Sequence, residues 1–189
     1  MVKPWLIGIG GTNASGKDTL AEYLADKHGY LFISTGDMVR EAAIQRYGNI
    51  LRPTQTKVGN ELRAEGGAGV LVDLCIEHYT KSGNKIGLVA ASIRTKGEIN
   101  EIKSQGGILI FVDADSKIRY ERLKIRKRGD DFITYKQFRA EEQAEWHQSD
   151  NPAEFSIKTV KETADYLFTN NSDEAQFFLN VEKTLFKMM

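Results

Sequence analysis

An α/β domain built on a parallel sheet with helices on both faces is the fold class this sequence predicts, and three observations point to it. Continuous apolar runs at residues 5–9, 30–33, 86–90, 108–112 and 166–168 lack the alternation of a half-exposed strand, so they read as five strands buried on both sides. Stretches of helical spacing lie between and beyond them, at 19–28, 38–47, 70–79, 96–103, 116–126, 138–147 and 173–185. A glycine-rich turn joins the first apolar run to the first helical stretch. Parallel neighbours need crossover connections, which the alternation supplies.

The 189 residues suit one domain, expected to run over 1–189. Two regions break the alternation. Residues 36–82 place several helical segments between the second and third strands, and residues 126–157 form a polar, charged insertion before the last strand. Excursions of this kind suit a substrate-binding cover and a lid. No repeat or low-complexity segment interrupts the pattern, and Pro4, Pro53 and Pro152 fall at element edges.

Lys plus Arg and Asp plus Glu each number 26, so no global field draws the chain to nucleic acid or to an acidic membrane, and anion recognition is expected to be local. The apolar run at 5–9 is too short for a signal peptide or a membrane span, and the single cysteine excludes an internal disulfide, which fits a reducing cytoplasm. Cys75 sits among Val70, Leu71, Val72 and Leu74 on a helical stretch and reads as a buried, inert thiol. His28, His78 and His147 are too isolated to suggest a metal site, and Trp146 reads as a packing residue.

The glycine-rich turn carries the chemistry. Gly11, Gly16 and Lys17 stand at the G-x4-G-K spacing, directly after a strand and at the start of a helix, which is the context a phosphate-binding loop requires. The glycines let backbone amides turn inward around a phosphate, the helix start adds partial positive charge, and the lysine reaches the β and γ phosphates. Gly11, Thr12, Asn13, Ala14, Ser15, Gly16, Lys17, Asp18 and Thr19 are therefore the expected ATP-binding residues, and the fold sharpens to a three-layer P-loop NTPase domain. Asp18 stands where a Ser or Thr hydroxyl commonly holds Mg²⁺. A carboxylate so close to a triphosphate needs a cation between them, so Asp18 faces the metal or its waters, or else it points away as a first-turn helix anion.

At the end of the second strand stand Ser34, Thr35, Gly36, Asp37 and Arg40 in a Ser-Thr-Gly-Asp-x-x-Arg pattern. Here the chain resembles the adenylate-kinase and nucleoside-monophosphate-kinase group. Arg52-Pro53-Thr54, Val58-Gly59, Ile93-Arg94, Glu98, the run from Arg122 through Arg126 and Arg128 to Asp131, and Ala164-Asp165-Tyr166 with Asn170 are similar to a mainly archaeal, dephospho-CoA-kinase-like branch of that group. The order and spacing of these pieces cover nearly the whole chain. The resemblance implies that Thr35 and Arg40 bind the acceptor and that Arg94 reaches the transferring phosphoryl group; Arg63 is a weaker acceptor-side candidate or an ordinary surface arginine. It implies a lid in which Arg122, Arg126 and Arg128 close over the β and γ phosphates, where positioned cations supply most of the catalysis of phosphoryl transfer.

Relatives of that group usually carry an Asp at the end of the third strand, where this chain has Ala91. Asp18 and Asp113, the latter closing the fourth apolar run, are the expected substitutes for orienting Mg²⁺. The expected partners are ATP and a small phosphorylated acceptor, in a monomer or a homodimer. Two acceptor chemistries stand open. A nucleoside monophosphate attacks through its own phosphate and needs no base, whereas dephospho-CoA or another alcohol wants a carboxylate such as Asp37, which can instead cap the following helix. A nucleotide-dependent regulator that contacts nucleic acid is a third class, opposed by the zero net charge and the acceptor-type motif.

Overall fold

In the computed structural model, which describes residues 3–83, 85–126, 133–147, 149 and 151–186 and of Arg126 only its place in a helix, the five expected strands form one sheet. They are β1 (Leu6–Gly11), β2 (Leu31–Ser34), β3 (Leu88–Ile93), β4 (Ile108–Asp113) and β5 (Tyr166–Thr169), ordered β2-β3-β1-β4-β5 with every pairing parallel. The helices are α1 (Lys17–His28), α2 (Thr35–Tyr47), α3 (Arg52–Gly66), α4 (Val70–Ser82), α5 (Lys96–Ser104), α6 (Ser116–Arg126), α7 (Tyr135–Glu145), α8 (Ile157–Thr163) and α9 (Glu174–Leu185).

Alternation along each strand divides the core in two. Leu6, Leu88, Ala90, Leu109 and Phe111 face a layer contributed by α2, α3, α4, α5 and α8, with Val39, Val58, Leu71, Ile102 and Val160 among its buried residues. Ile7, Ile9, Val89, Ala91, Ile110 and Val112 face α1 and α9 through Leu20, Leu24, Phe177 and Val181. Each fully buried aliphatic side chain contributes roughly 1.5–3 kcal/mol, so the central strands carry the stability that holds the site. Gly8 and Gly10 let two helices approach β1 closely, because a Cβ would fall 2.3 Å from Ile102 and 2.4 Å from Val160.

Three details differ from the sequence expectation. β3 runs on to Ile93, because Leu88 through Ala91 pair with both β1 and β2 and the small Ala90, Ala91 and Ser92 do not end it. α8 was not foreseen; its seven residues are too few to display a period. The helix after β2 begins at Thr35 and is capped by Ser34, whose Oγ accepts the Gly36 N–H at 3.2 Å. Asp37 is therefore not the cap; it lies inside the first turn. Cys75 is buried as expected, and burial pushes its thiol up to about 12. No helix among the described residues is long and apolar enough to cross a membrane.

Candidate functional site

The β1–α1 loop lies at the carboxyl end of the central strand, where ligands of open α/β sheets bind. Gly16 has φ +92° and serves as N-cap of α1 without a side-chain cap, so the first N–H groups of that helix are not taken up by a capping oxygen. Ala14 holds φ +59°, a conformation that non-glycine residues rarely adopt and that curls the loop between the glycines.

The loop is braced from outside. Asn170, just past β5, donates Nδ2 to the Ser15 carbonyl at 2.9 Å, and Arg122 donates to the carbonyls of Ser15 at 3.4 Å and Asn170 at 3.0 Å. Arg119 donates Nε to Ala114 O at 2.6 Å and Nη1 to Asn13 O at 3.4 Å. Two loop amides close the turn itself, Thr12 N on Val112 O and Ser15 N on Thr12 O at 3.3 Å each, which leaves those of Asn13, Ala14 and Gly16 for an anion. Gly16 is required at this junction, because a Cβ would lie 2.3 Å from Asn170 Nδ2.

Asp113, at the end of β4, joins this bracing. Its Oδ1 accepts from Thr12 Oγ1 at 2.7 Å and from Ala114 N at 2.9 Å, while Oδ2 accepts from Lys161 at 3.2 Å. Both oxygens are engaged, so in this arrangement Asp113 positions the loop. Lys17 is 7% exposed, with Nζ 3.7 Å from Asp18 Oδ1. That carboxylate oxygen is buried without a hydrogen-bond partner, and so is Ser15 Oγ.

Among the described residues no group of three or more His, Cys, Asp or Glu side chains gathers as a metal cage. Mg²⁺ does not require one, since it takes one or two carboxylates and completes its shell with water and phosphate oxygens. Asp18, whose Oδ1 accepts no hydrogen bond and stands 3.7 Å from Lys17 Nζ, fits that demand. Ala91 is fully buried in the core between Ile9 and Ser34 and offers only a methyl group.

On the other side of the cleft, a bulge between the β1 partners of Ala91 and Ile93 leaves Ser92 at φ +67°. Its carbonyl accepts from Thr35 Oγ1 at 3.1 Å and its hydroxyl meets Ser34 Oγ at 3.2 Å, which ties the ends of β2 and β3 together. Thr35 is 3% exposed, and its hydroxyl is committed to this tie. Arg40 is ion-paired with Asp37 one helical turn away. Arg63 is no surface arginine: its side chain is 7% exposed and pairs at 3.2 Å with the buried Glu98. Glu98 is held in turn by the Arg94 and Thr95 amides at 2.8 and 3.2 Å. Arg94 stands 3.6 Å from Glu145.

A cleft of about 100 Å³ lies over the loop, lined by Thr12, Asn13 and Arg94 and by Glu141, Glu142 and Glu145 of α7. Glu142 is ion-paired with Arg119. The insertion, which reads as polar and charged in sequence, thus lines the cleft with acidic side chains through α7. Arg128 and the Arg126 side chain lie outside the described residues, so of the expected lid arginines the structure locates Arg122 alone, on the outer side of the loop. Arg119, Asn170 and Lys161 received no role in the sequence reading. Arg119 lies one turn before Arg122 on α6, a spacing that could have drawn attention to it; Asn170 reaches the loop, and Lys161 reaches Asp113, only through the fold.

The order 2-3-1-4-5, the loop after β1 and the helices on both faces define a P-loop kinase-like fold. Solved structures agree on that fold: TT1252 from Thermus thermophilus matches with TM-score 0.61 at 18% identity over 99% of both chains, and shikimate kinase from Bacteroides thetaiotaomicron with TM-score 0.52 at 16% identity over 95% of both. The AAA domain family matches residues 7–147. The chain belongs to that family and to the UPF0200 proteins. A UPF0200 protein of Methanococcus maripaludis is 31% identical over 189 residues, with 97% of each chain covered, and one of Pyrobaculum aerophilum is 32% identical over 169 residues, with 88% of each covered. A UPF0200/UPF0201 protein of Archaeoglobus fulgidus is 28% identical, and the chain spans only 55% of its length.

Proposed function

We propose that this chain is an ATP-dependent phosphotransferase that moves the γ-phosphoryl group onto a small phosphate-bearing acceptor of the nucleoside-monophosphate type. The observation that carries the reading is the β1–α1 loop. It joins an uncapped helix start, a buried lysine paired with Asp18 at 3.7 Å, and a Ser15 Oγ that is buried with no hydrogen-bond partner. Such an atom is costly unless a ligand completes it.

In this reading the loop from Gly11 to Gly16 and the start of α1 through Thr19 hold the nucleotide phosphates, and Lys17 supplies the fixed charge on the β and γ groups. Asp18 would help hold Mg²⁺, and Asp113, bonded to Thr12, Ala114 and Lys161, keeps the loop in register. Bound Mg²⁺ would neutralise charge on the β and γ oxygens. Residues 36–82 form the acceptor-binding region of the single domain, with Thr35 shaping its floor and Arg40, Arg63 and Arg94 supplying positive charge. Residues 126–157 form the lid, whose α7 moves aside on binding, because the present cleft is well below the roughly 300–1,000 Å³ of an ordinary small-molecule site. Arg122 on α6 braces the loop through the Ser15 carbonyl, and Arg126 and Arg128 are the lid arginines assigned to the β and γ phosphates.

A hydroxyl acceptor such as dephospho-CoA is the second reading, with Asp37 as base. The pairing of Asp37 with Arg40 favours the first, because the carboxylate is already engaged by a cation. Coupled measurement of ADP release with a panel of nucleoside monophosphates and with dephospho-CoA tests this. Release that depends on a nucleoside monophosphate supports the reading, and release that depends only on dephospho-CoA selects the alternative.

A further inference from the structure

Phe155 is a large apolar side chain left 39% exposed at the edge of the acceptor side, outside the core. Its ring lies 5.4 Å from the Arg63 guanidinium carbon and 5.5 Å from that of Arg94. Backbone contacts fix where the ring stands. Phe155 bridges Thr95, the next N–H, of Ser156, donates to the Arg94 carbonyl at 2.8 Å, and Gly97 N donates to Pro152 O at 2.8 Å. Segment 152–156 is thus stitched to the turn that carries Arg94.

Glu98 links the same two arginines from another direction, taking the Arg63 guanidinium on one oxygen and the Arg94 amide on the other. Arg63 Nε is buried with no hydrogen-bond partner. An unpaired guanidinium N–H at a buried position is costly and marks a place for an acceptor oxygen. Arg63 Nη1 donates to Gly59 O and Nη2 to Glu98, at 3.2 Å each, so Nε is the N–H it keeps for an oxoanion, and a ring beside the guanidinium excludes water from it.

We propose that Phe155 is a positioning residue for the acceptor site, presenting Arg63 and Arg94 together to the acceptor's phosphate. This rests on the phosphotransferase reading above. It gives the insertion before β5 a part in acceptor specificity as well as in covering the nucleotide.

The test compares Phe155→Ala and Phe155→Tyr with the unaltered protein in two measurements. In the first, ATP-dependent turnover is followed with AMP, CMP, GMP, UMP and dephospho-CoA. With the acceptor that works best, Phe155→Ala raises acceptor KM about tenfold while ATP KM stays within about twofold, and Phe155→Tyr restores it. In the second, which needs no acceptor, phenylglyoxal modification of Arg63 and Arg94 is timed by peptide mass spectrometry. Phe155→Ala speeds it severalfold and Phe155→Tyr does not. Unchanged modification rates in Phe155→Ala, or equal rises in both KM values, would overturn the positioning role. Turnover with none of the acceptors, with the modification rates shifted as expected, leaves the ring's role on the arginines standing and overturns the phosphotransferase reading.

Discussion

The two sides of the cleft are prepared for anions by different means. On the donor side the β1–α1 loop has its carbonyls braced from outside by Arg119, Arg122 and Asn170, and no side chain caps the start of α1. On the acceptor side each arginine already has a carboxylate: Asp37 for Arg40, Glu98 for Arg63 and Glu145 for Arg94. The first arrangement is ready for an anion. The second is near neutral, so an entering phosphate has to displace or share existing partners. On the proposed reading, the difference means that donor binding would rest on preorganised backbone, whereas acceptor binding would be an exchange of ion pairs that gains selectivity from the competition.

The largest expected effect tests the donor side. Lys17→Ala removes the buried charge of the loop, so turnover should fall by about two orders of magnitude or more while a thermal melt shows the fold intact. A folded variant within about threefold of the original turnover would break the comparison at its stronger end. Next comes the bracing. Arg119→Ala takes one of the two arginines that Glu142 pairs with, leaving Arg139, and strips a donor from the Asn13 and Ala114 carbonyls, so we expect a stability loss of about 1–3 kcal/mol in denaturant titration and weaker ATP binding. Stability lost with unchanged ATP affinity would show that the loop keeps its shape without this brace.

The donor side was also the part most legible in sequence. Gly11, Gly16 and Lys17 act through local spacing, which a linear chain displays directly, and five continuous apolar runs announce a sheet buried on both faces. The acceptor side was legible only in part. Asp37 looks like a helix cap in sequence because it is an acid near a helix start, yet Ser34 has the extended backbone that a cap needs. Arg63 reads as a surface charge because nothing near it in sequence reveals Glu98, 35 residues away and 1% exposed. Asn170 touches the loop through a contact 155 residues long and Lys161 reaches Asp113 across 48 residues, which no local pattern contains. The acidic face that α7 turns to the loop was hidden by the basic run before it.

Smaller effects belong to the acceptor side. Arg40→Ala should raise acceptor KM by about tenfold and leave ATP KM nearly unchanged, a split read from steady-state kinetics with each substrate varied in turn. Equal changes in both constants would remove Arg40 from the acceptor site. The smallest effect has the opposite sign. Glu145→Gln takes away the carboxylate facing Arg94, and because both side chains are more than a third exposed the pair is weak, so acceptor KM should fall by only about two- to threefold. A rise in KM would mean that Glu145 orients Arg94 and does not compete with the phosphate.

The central claim is that a phosphoryl group crosses from the loop to an acceptor held by these arginines. Its most direct test is transfer of label from ATP carrying radioactive γ-phosphate, with Mg²⁺, to a nucleoside monophosphate separated by thin-layer chromatography. The account predicts label on the acceptor in amounts matching the ADP formed, with transfer lost in Lys17→Ala. Label appearing only as inorganic phosphate, at a rate indifferent to every acceptor offered, would contradict it.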